Sequence, residues 1–349
     1  MTEHSLMPQR DRLQTRLLEL LAIASPTGDT EAMATELRHR LSHFPVRVTT
    51  TTRGAVLAVL GAGEPTRALA AHMDTLGAMV QAILPNGRLE LTALGHWSAR
   101  FAEGARVSVK TDTGDIRGTV LPRFSSGHAY HEAVDTQPVG WSELELRLDI
   151  PTASAAETQA AGVQLGNTVS VDPQPECLPN GYLVSRFLDN KAALACCLEV
   201  LTLLQDQGLT PVEPICFAFT NAEEVGHGAG TALPPSVNEL ISVDIAPVAA
   251  NQNSQEDRVT LGFKDASGPY DQSLLKALEA LAQRHNIPYV RDVFRHYHSD
   301  CSSALKAGLD VRTALIGFGT DSTHGYERTH INSLIGVTQL LLAYTLSPP

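Results

Sequence analysis

The 349-residue sequence has little positive charge, few aromatic residues and no long apolar run. Lysine and arginine number 26 against 38 aspartate and glutamate residues, which gives a formal net charge of −12. A protein of that charge repels phosphate backbones and anionic lipid surfaces, so nucleic-acid and membrane binding are not expected. The longest apolar stretches are interrupted by Glu19 and Glu199 and fall short of the roughly 18 residues that a membrane span requires.

Targeting and nucleotide-binding motifs are also missing. Residues 1–14 lack the apolar core of a signal peptide, so we expect a cytoplasmic protein. The sequence contains no GxSxG, HExxH or Walker A motif, and its glycine cluster at 226–230 does not have GxGxxG spacing. The cysteines are odd in number and without CxxC spacing, which indicates buried reduced thiols rather than a disulfide framework. They are Cys177, Cys196, Cys197, Cys216 and Cys301.

Apolar, β-branched segments alternate with helical patterns at both ends of the chain. Strands are predicted at 55–60, 68–71, 215–220, 240–243 and 314–318, and helices at 190–204, 272–284 and up to residue 346. This alternation predicts an α/β fold with a mainly parallel central sheet flanked by helices. Between these two parts, from residue 78 to 176, the sequence is dominated by turn residues between alternating runs, which are typical of β-hairpins. We therefore predict an α/β domain formed by 1–77 and 177–349, with a small β-rich domain inserted at 78–176.

Acidic and imidazole residues stand beside the ends of these predicted elements. Each alone has a structural interpretation: Asp189 as a helix N-cap, Asp244 as a solvated strand end. Because the carboxyl ends of parallel strands meet at one edge of a sheet, the whole set can converge there. In sequence order the set is His72, Asp74, Asp189, Glu223, Glu224, Asp244 and His324.

Imidazoles and carboxylates without thiolate suit zinc, cobalt or manganese. Two neighbouring cations repel one another, and a carboxylate shared between them offsets that repulsion. One further glutamate, not bound to metal, would move the proton of the attacking water. Asp74, two residues beyond His72, is placed to orient that imidazole by a hydrogen bond.

Several motifs in order resemble the glutamyl-aminopeptidase family of dinuclear metallopeptidases, which includes the tetrahedral aminopeptidases. The chain is similar, too, to a subgroup linked to the osmoprotectant N-acetylglutaminylglutamine amide. The resemblance covers nearly the whole chain and implies a zinc-exopeptidase-like fold. The motifs are Ser25-Pro26-Thr27-Gly28, Ala71-His72-Met73-Asp74-Thr75-Leu76-Gly77, Phe187-Leu188-Asp189-Asn190-Lys191, Asn221-Ala222-Glu223-Glu224-Val225-Gly226, Val243-Asp244 and the late His324.

The resemblance implies two divalent metal ions per subunit, with zinc as the expected metal and cobalt or manganese as alternatives. Asp189 would bridge the ions, Glu223 would be the general base and acid, and Asp74 would orient a ligand imidazole. The implied function is an aminopeptidase acting on short peptides through metal-activated water. The implied metal ligands are His72, Asp189, Glu224, Asp244 and His324.

Two alternatives stay open, namely a deacylase or dipeptidase acting on a small modified peptide, and an inactive scaffold with the same fold. The resemblance also implies a homo-oligomer, a dimer or a higher assembly. The inserted domain would serve oligomerisation or substrate access, and the α/β domain would be catalytic.

The sequence departs from the family pattern beside the implied ligands. Asn190 stands where the family usually has a second Asp, and Thr75 replaces a residue that is often acidic. In the closing segment we favour His324 over His330 as the ligand. Arg295 and His298 either shape substrate specificity or are solvated loop charges. No role is assigned to His227 or Asp321, and His96, Trp97, His128 and His131 are interpreted as structural or subunit-contact residues.

Overall fold

The structure is a computed structural model that describes residues 7–348. Residues 1–6, on which part of the signal-peptide prediction rests, lie outside that range. The helices are α1 (Arg10–Leu21), α2 (Glu31–Leu41), α3 (Gly127–Tyr130), α4 (Ala133–Thr136), α5 (Ala155–Ala160), α6 (Leu188–Asp206), α7 (Gln272–Arg284), α8 (Asp300–Lys306) and α9 (Ile331–Leu346).

The strands are numbered along the chain in the same way. They are β1 (Val46–Thr50), β2 (Val56–Leu60), β3 (Arg67–His72), β4 (Gly77–Ile83), β5 (Leu89–Leu94), β6 (Arg106–Thr111), β7 (Gly114–Pro122), β8 (Leu144–Leu148), β9 (Thr168–Val171), β10 (Glu176–Cys177), β11 (Tyr182–Ser185), β12 (Ile215–Thr220), β13 (Glu239–Pro247), β14 (Val259–Gly262), β15 (Lys264–Asp265), β16 (Gly268–Pro269), β17 (Tyr289–Asp292), β18 (Arg312–Thr320) and β19 (Glu327–His330).

An eight-stranded sheet with the order β1-β2-β12-β3-β13-β18-β14-β17 carries the α/β part of the chain. Its four middle strands β12, β3, β13 and β18 are parallel. The sheet as a whole is mixed, because β2 runs antiparallel to both β1 and β12, and β14 runs antiparallel to β18. The chain passes from β1 to its neighbour β2 without a helix, which suits an antiparallel pair because parallel neighbours need a long crossover connection. The α/β fold is therefore confirmed, with a mixed sheet.

Helix α6 is buried along almost its whole length because it packs against α1, α9 and the strands β3 and β13. Leucines at helical spacing on α1, from Leu13 to Leu21, form the apolar face that meets it. The buried carboxylate of Glu199 in α6 pairs with Arg12 at 2.6 Å and Arg16 at 2.9 Å on α1. These contacts fix the helix whose first turn carries Asp189.

Six strands, β4 to β9, close into a barrel between residues 77 and 171. Its interior is a separate apolar cluster that includes Val107, Leu146 and Val169. Except for Gly77, the barrel strands fall within the segment 78–176, and the proposed division of the chain into two domains stays a prediction. A small sheet of β10, β11 and β19 joins the segment before α6 to the segment before α9.

All five cysteines are free; Cys177 is exposed and the other four are buried. Among the helices between residues 7 and 348, none has both the length and the hydropathy needed to cross a membrane.

Candidate metal centre

The structure brings the sequence-predicted side chains together at the carboxyl edge of the parallel strands. His72 ends β3 and lies opposite Thr220, the last residue of β12, in the parallel pairing. The loop after β12 carries Glu223 and Glu224, and Asp244 lies on β13. Of the remaining three residues, Asp74 follows β3, Asp189 lies at the start of α6, and His324 lies in the turn between β18 and β19.

The carboxylate of Asp189 lies between two imidazoles. Its Oδ1 is 3.0 Å from His72 Nε2, and its Oδ2 is 3.4 Å from His324 Nε2. Each imidazole faces a second carboxylate: Asp244 Oδ1 lies 3.9 Å from His72 Nε2, and Glu224 Oε2 lies 3.6 Å from His324 Nε2. The arrangement is two imidazole–carboxylate pairs on opposite sides of one central carboxylate.

Donor atoms of this set are close enough to share a cation. The ligand atoms of His72, Asp189 and Glu224 all lie within 4.8 Å of one another, and all three residues are buried. Glu224 Oε1 is buried without a hydrogen-bond partner among the described residues. An orphaned carboxylate oxygen in an imidazole–carboxylate set fits a divalent metal ion of the zinc type.

The protonation equilibria show how much negative charge the site concentrates. Burial and the neighbouring Asp189 carboxylate raise the pKa of Glu224 to about 8. Burial raises the pKa of Glu223 well above its usual value, and the Asp244 carboxylate adds to this shift although His72 opposes it. Burial alone would lower the pKa of His324, but Asp189 and Glu224 outweigh it and raise that pKa to about 11. Bound cations would relieve this repulsion between carboxylates.

Asp74 makes contacts other than the predicted one. Its main-chain carbonyl, rather than its carboxylate, accepts the Nδ1 hydrogen bond of His72 at 2.9 Å, while the carboxylate oxygen stays 3.6 Å away. The carboxylate instead accepts the main-chain N–H groups of Glu223 at 3.1 Å and Glu224 at 3.3 Å. It also accepts the Thr27 hydroxyl at 2.7 Å. Asp74 therefore holds the two-glutamate loop as well as the imidazole.

Sequence reasoning missed two contacts that hold His324. The Glu327 carboxylate accepts its main-chain N–H at 3.0 Å, and the carbonyl of His96, in the loop after the barrel strand β5, accepts its Nδ1 at 2.7 Å. The second contact leaves Nε2 free to face Asp189. An acidic residue three positions after a ligand histidine was the available signal for Glu327, whereas a main-chain carbonyl leaves no signal in the sequence.

Backbone strain is concentrated around the same residues. Non-glycine residues with positive φ lie in or beside three of the predicted ligand segments, those of Asp189, Glu224 and His324: Phe187 at 67°, Ala222 at 60°, Ser322 at 54° and His324 itself at 62°. Such conformations cost free energy and persist where the surroundings fix them, typically at functional sites.

The structure separates His330 from the cluster. His330 caps α9, accepting the Asn332 N–H at 3.1 Å, and its Nε2 lies 3.0 Å from the Asn180 carbonyl. Asp321 lies 4.0 Å from Arg328. These positions agree with the preference for His324.

The two departures from the family pattern have local partners. Asn190 donates its side-chain amide to the Val243 carbonyl at 2.8 Å, a bond that an aspartate could not donate. The main chain of Thr75 pairs with Ser25 and Thr27 at 2.9 Å each.

A cavity of about 1360 Å³ opens from the predicted ligand set. The segment before α8 forms part of its wall, including Arg295, Tyr297 and His298, and His96 of the barrel also lines it. His298 Nδ1 lies 3.1 Å from the Ser267 hydroxyl. His227 does not line this cavity. The side chains that line the cavity could contact a substrate.

Comparisons with known proteins agree with this geometry. The sequence model of the M42 glutamyl aminopeptidase family matches residues 54–340. The Bacillus subtilis protein YhfE, provisionally named an aminopeptidase, is 35% identical over 333 residues, which cover 95% of this chain and 96% of the relative. A glutamyl aminopeptidase of Lactococcus lactis is 29% identical over 206 residues, 56% of each chain.

Solved structures show the same fold. A TET aminopeptidase from a marine-sediment thaumarchaeon superposes with a TM-score of 0.87 at 18% identity, covering 96% of this chain and 97% of the other. The TET1 peptidase of Pyrococcus horikoshii gives a TM-score of 0.85 at 20% identity, covering 96% of this chain and all of the other.

Proposed function

Because this chain belongs to the M42 glutamyl aminopeptidase family, we propose that it is a metal-dependent aminopeptidase that removes N-terminal residues from short peptides. The observation that carries the proposal is the position of the Asp189 carboxylate between His72 and His324. A carboxylate so placed can be shared by two cations.

The residues that would hold the ions fall into two groups around Asp189. His72 and Asp244 lie on one side of it, and Glu224 and His324 lie on the other. We expect zinc, with cobalt or manganese as substitutes, because the donors are nitrogen and carboxylate oxygen. When bound, the ions would polarise the scissile carbonyl and lower the pKa of the attacking water.

Glu223 is the proposed general base and acid. Its Oε2 lies 3.9 Å from His72 Nε2, and the side chain lines the cavity beside the ligand set. The raised pKa of Glu223, caused by burial first, suits a carboxylate that takes a proton from water and returns it to the leaving amine. Asp74 would keep Glu223 in position by accepting its main-chain N–H.

Assembly and location belong to the same proposal. The Pyrococcus horikoshii TET1 peptidase can assemble into a tetrahedron or a large octahedral shell. We propose that this chain also forms a homo-oligomer, and that the segment 78–176 is a separate domain serving oligomerisation or substrate access. The cytoplasmic location remains a prediction from the sequence.

Metal content and peptide cleavage, measured on one preparation, test the proposal. Elemental analysis of the purified full chain should find two divalent ions per subunit. The same preparation should release amino acids from unblocked short peptides, lose this activity on chelation and regain it with zinc. Asp189→Asn keeps the size of the side chain but removes the carboxylate proposed to be shared by both ions, so this variant should contain less metal. Cleavage of acylated peptides only would favour the deacylase alternative, and no metal uptake after reconstitution would contradict the proposal.

A further inference from the structure

We infer that Glu327 is a positioning residue that sets the spacing between Asp189 and His324, and so controls how tightly the site binds metal. The inference rests on the proposed function, because it assigns Glu327 a role toward the proposed ligands. Glu327 does not face the cavity and is not proposed to touch metal or substrate.

Its place in the small sheet brings Glu327 close to both ligand segments. Glu327 is the first residue of β19 and pairs with Ser185, the last residue of β11. The chain leaves β11 at Ser185 and reaches Asp189 four residues later, while His324 precedes Glu327 by three residues. A single side chain at this point can therefore contact the main chain of both.

Each oxygen of the Glu327 carboxylate accepts one main-chain N–H. Oε2 accepts from Asp189 at 3.0 Å, and Oε1 accepts from His324 at 3.0 Å. The residue is 1% exposed, and none of the ion pairs among residues 7–348 includes it. Burying a carboxyl group without a cationic partner is costly, so this position calls for an explanation beyond packing.

The two N–H groups lie where no regular hydrogen-bond ladder fixes the backbone. Asp189 departs from helical geometry at the start of α6, with φ −73° and ψ 102°. His324 has φ 62°, in the left-handed region. Because Glu327 bonds to both, it fixes the separation of the two backbones from which Asp189 Oδ2 and His324 Nε2 approach to 3.4 Å.

The chemistry of the side chain predicts what a substitution does. Glu327→Gln keeps the size but has a single acceptor oxygen, so one N–H group would face an amide donor instead of an oxygen. One of the two proposed ligands would then lose its anchor. Loss of such an outer contact typically weakens metal binding by about 10–100-fold.

The neighbouring residue pair supplies a matched control. Arg328, which follows Glu327 on β19, donates two hydrogen bonds to the Glu256 carboxylate, at 2.7 and 3.0 Å. Glu256→Gln removes an equivalent charge from the same region but bonds to neither ligand segment. It should leave metal affinity unchanged.

The test is chelator competition for zinc on the full-length protein, with wild type, Glu327→Gln and Glu256→Gln compared. We expect a drop of at least tenfold in zinc affinity for Glu327→Gln alone. The visible absorption spectrum of its cobalt form should also change, because the ligand geometry differs. Affinity within twofold of wild type, with an unchanged cobalt spectrum, would overturn the inference.

Two further measurements keep the result decisive. If Glu327→Gln does not fold, Glu327→Asp replaces it, since that variant keeps both oxygens but withdraws them by one methylene and should also weaken zinc binding. Peptide cleavage by wild type is followed in parallel. Wild type that binds zinc but cleaves no peptide would refute the proposed function, whereas the affinity comparison would still decide the role of Glu327.

Discussion

Replacing Asp74 with Asn separates the two ways in which this residue could serve the site. In one, its carboxylate orients the His72 imidazole, as the sequence predicts. In the other, the carboxylate anchors the loop of Glu223 and Glu224, and the imidazole is oriented by the main-chain carbonyl. The distances favour the second, since the carboxylate lies 3.6 Å from His72 Nδ1 but 3.1 Å from the Glu223 nitrogen.

The size of the effect follows from the donors around the carboxylate. Its two oxygens accept three hydrogen bonds, from Thr27 and from the main-chain N–H groups of Glu223 and Glu224. Asp74→Asn leaves one oxygen, so at least one buried N–H group loses its acceptor, at a cost of about 1–3 kcal/mol. If the lost bond displaces Glu223 from the attacking water and raises the activation free energy by the same amount, kcat falls by about 5–150-fold.

The assay has two parts, both made on Asp74→Asn and on wild type: kcat at saturating zinc, and zinc affinity by chelator competition. We expect kcat to fall while zinc affinity stays close to wild type, because the carbonyl that accepts from His72 is unchanged. Thr27→Val removes only one of the three bonds and should lower kcat less. A large loss of zinc affinity with kcat unchanged at saturating zinc would refute this reasoning, since it would mean that the carboxylate holds the imidazole.

Three other predictions concern the proposed general base, the two histidines of the closing segment and two buried tyrosines. Glu223→Gln should keep its metal but lose at least about 100-fold in kcat, because it cannot accept a proton; elemental analysis and peptide cleavage together check this. His324→Ala should lower the metal content, whereas His330→Ala should leave it intact and cost about 1 kcal/mol of stability as a lost helix cap; elemental analysis and urea unfolding distinguish them. Tyr297→Phe should not lower the free energy of unfolding, since its buried hydroxyl has no partner in the described part of the chain. Tyr270→Phe should lower that free energy by about 1 kcal/mol, because its hydroxyl bonds to Asp265 and Ser299 are lost; urea unfolding checks both.

Much of the sheet and most of the cluster could be predicted because the signal is local. Fully buried strands such as Ile215–Thr220 are continuous apolar runs, and polar residues directly after them lie at the sheet edge. Helix α7 was predicted with its observed bounds, Gln272–Arg284, from its apolar face. The elements that escaped prediction carry weaker patterns: β1 is largely exposed and polar, and β14 has only four residues.

The contacts that hold the proposed ligands could not be predicted, because they join distant residues through the main chain. Glu327 bonds to Asp189 across 138 positions, and His96 bonds to His324 across 228 positions. A main-chain donor or carbonyl imposes no residue type at its own position. Periodicity and motif spacing therefore cannot reveal such a contact, even where the sequence itself points to the proposed ligand.

The position of His324 depends on three parts of the fold at once. Its imidazole Nδ1 is held by the barrel through the His96 carbonyl, and its main chain is held by β19 through Glu327. Its Nε2 faces Asp189, whose own backbone is held by the same Glu327. Because His324 has positive φ, it would relax without these contacts. A movement of the loop after β5 relative to the central sheet would therefore be transmitted to the proposed metal site through the imidazole of His324.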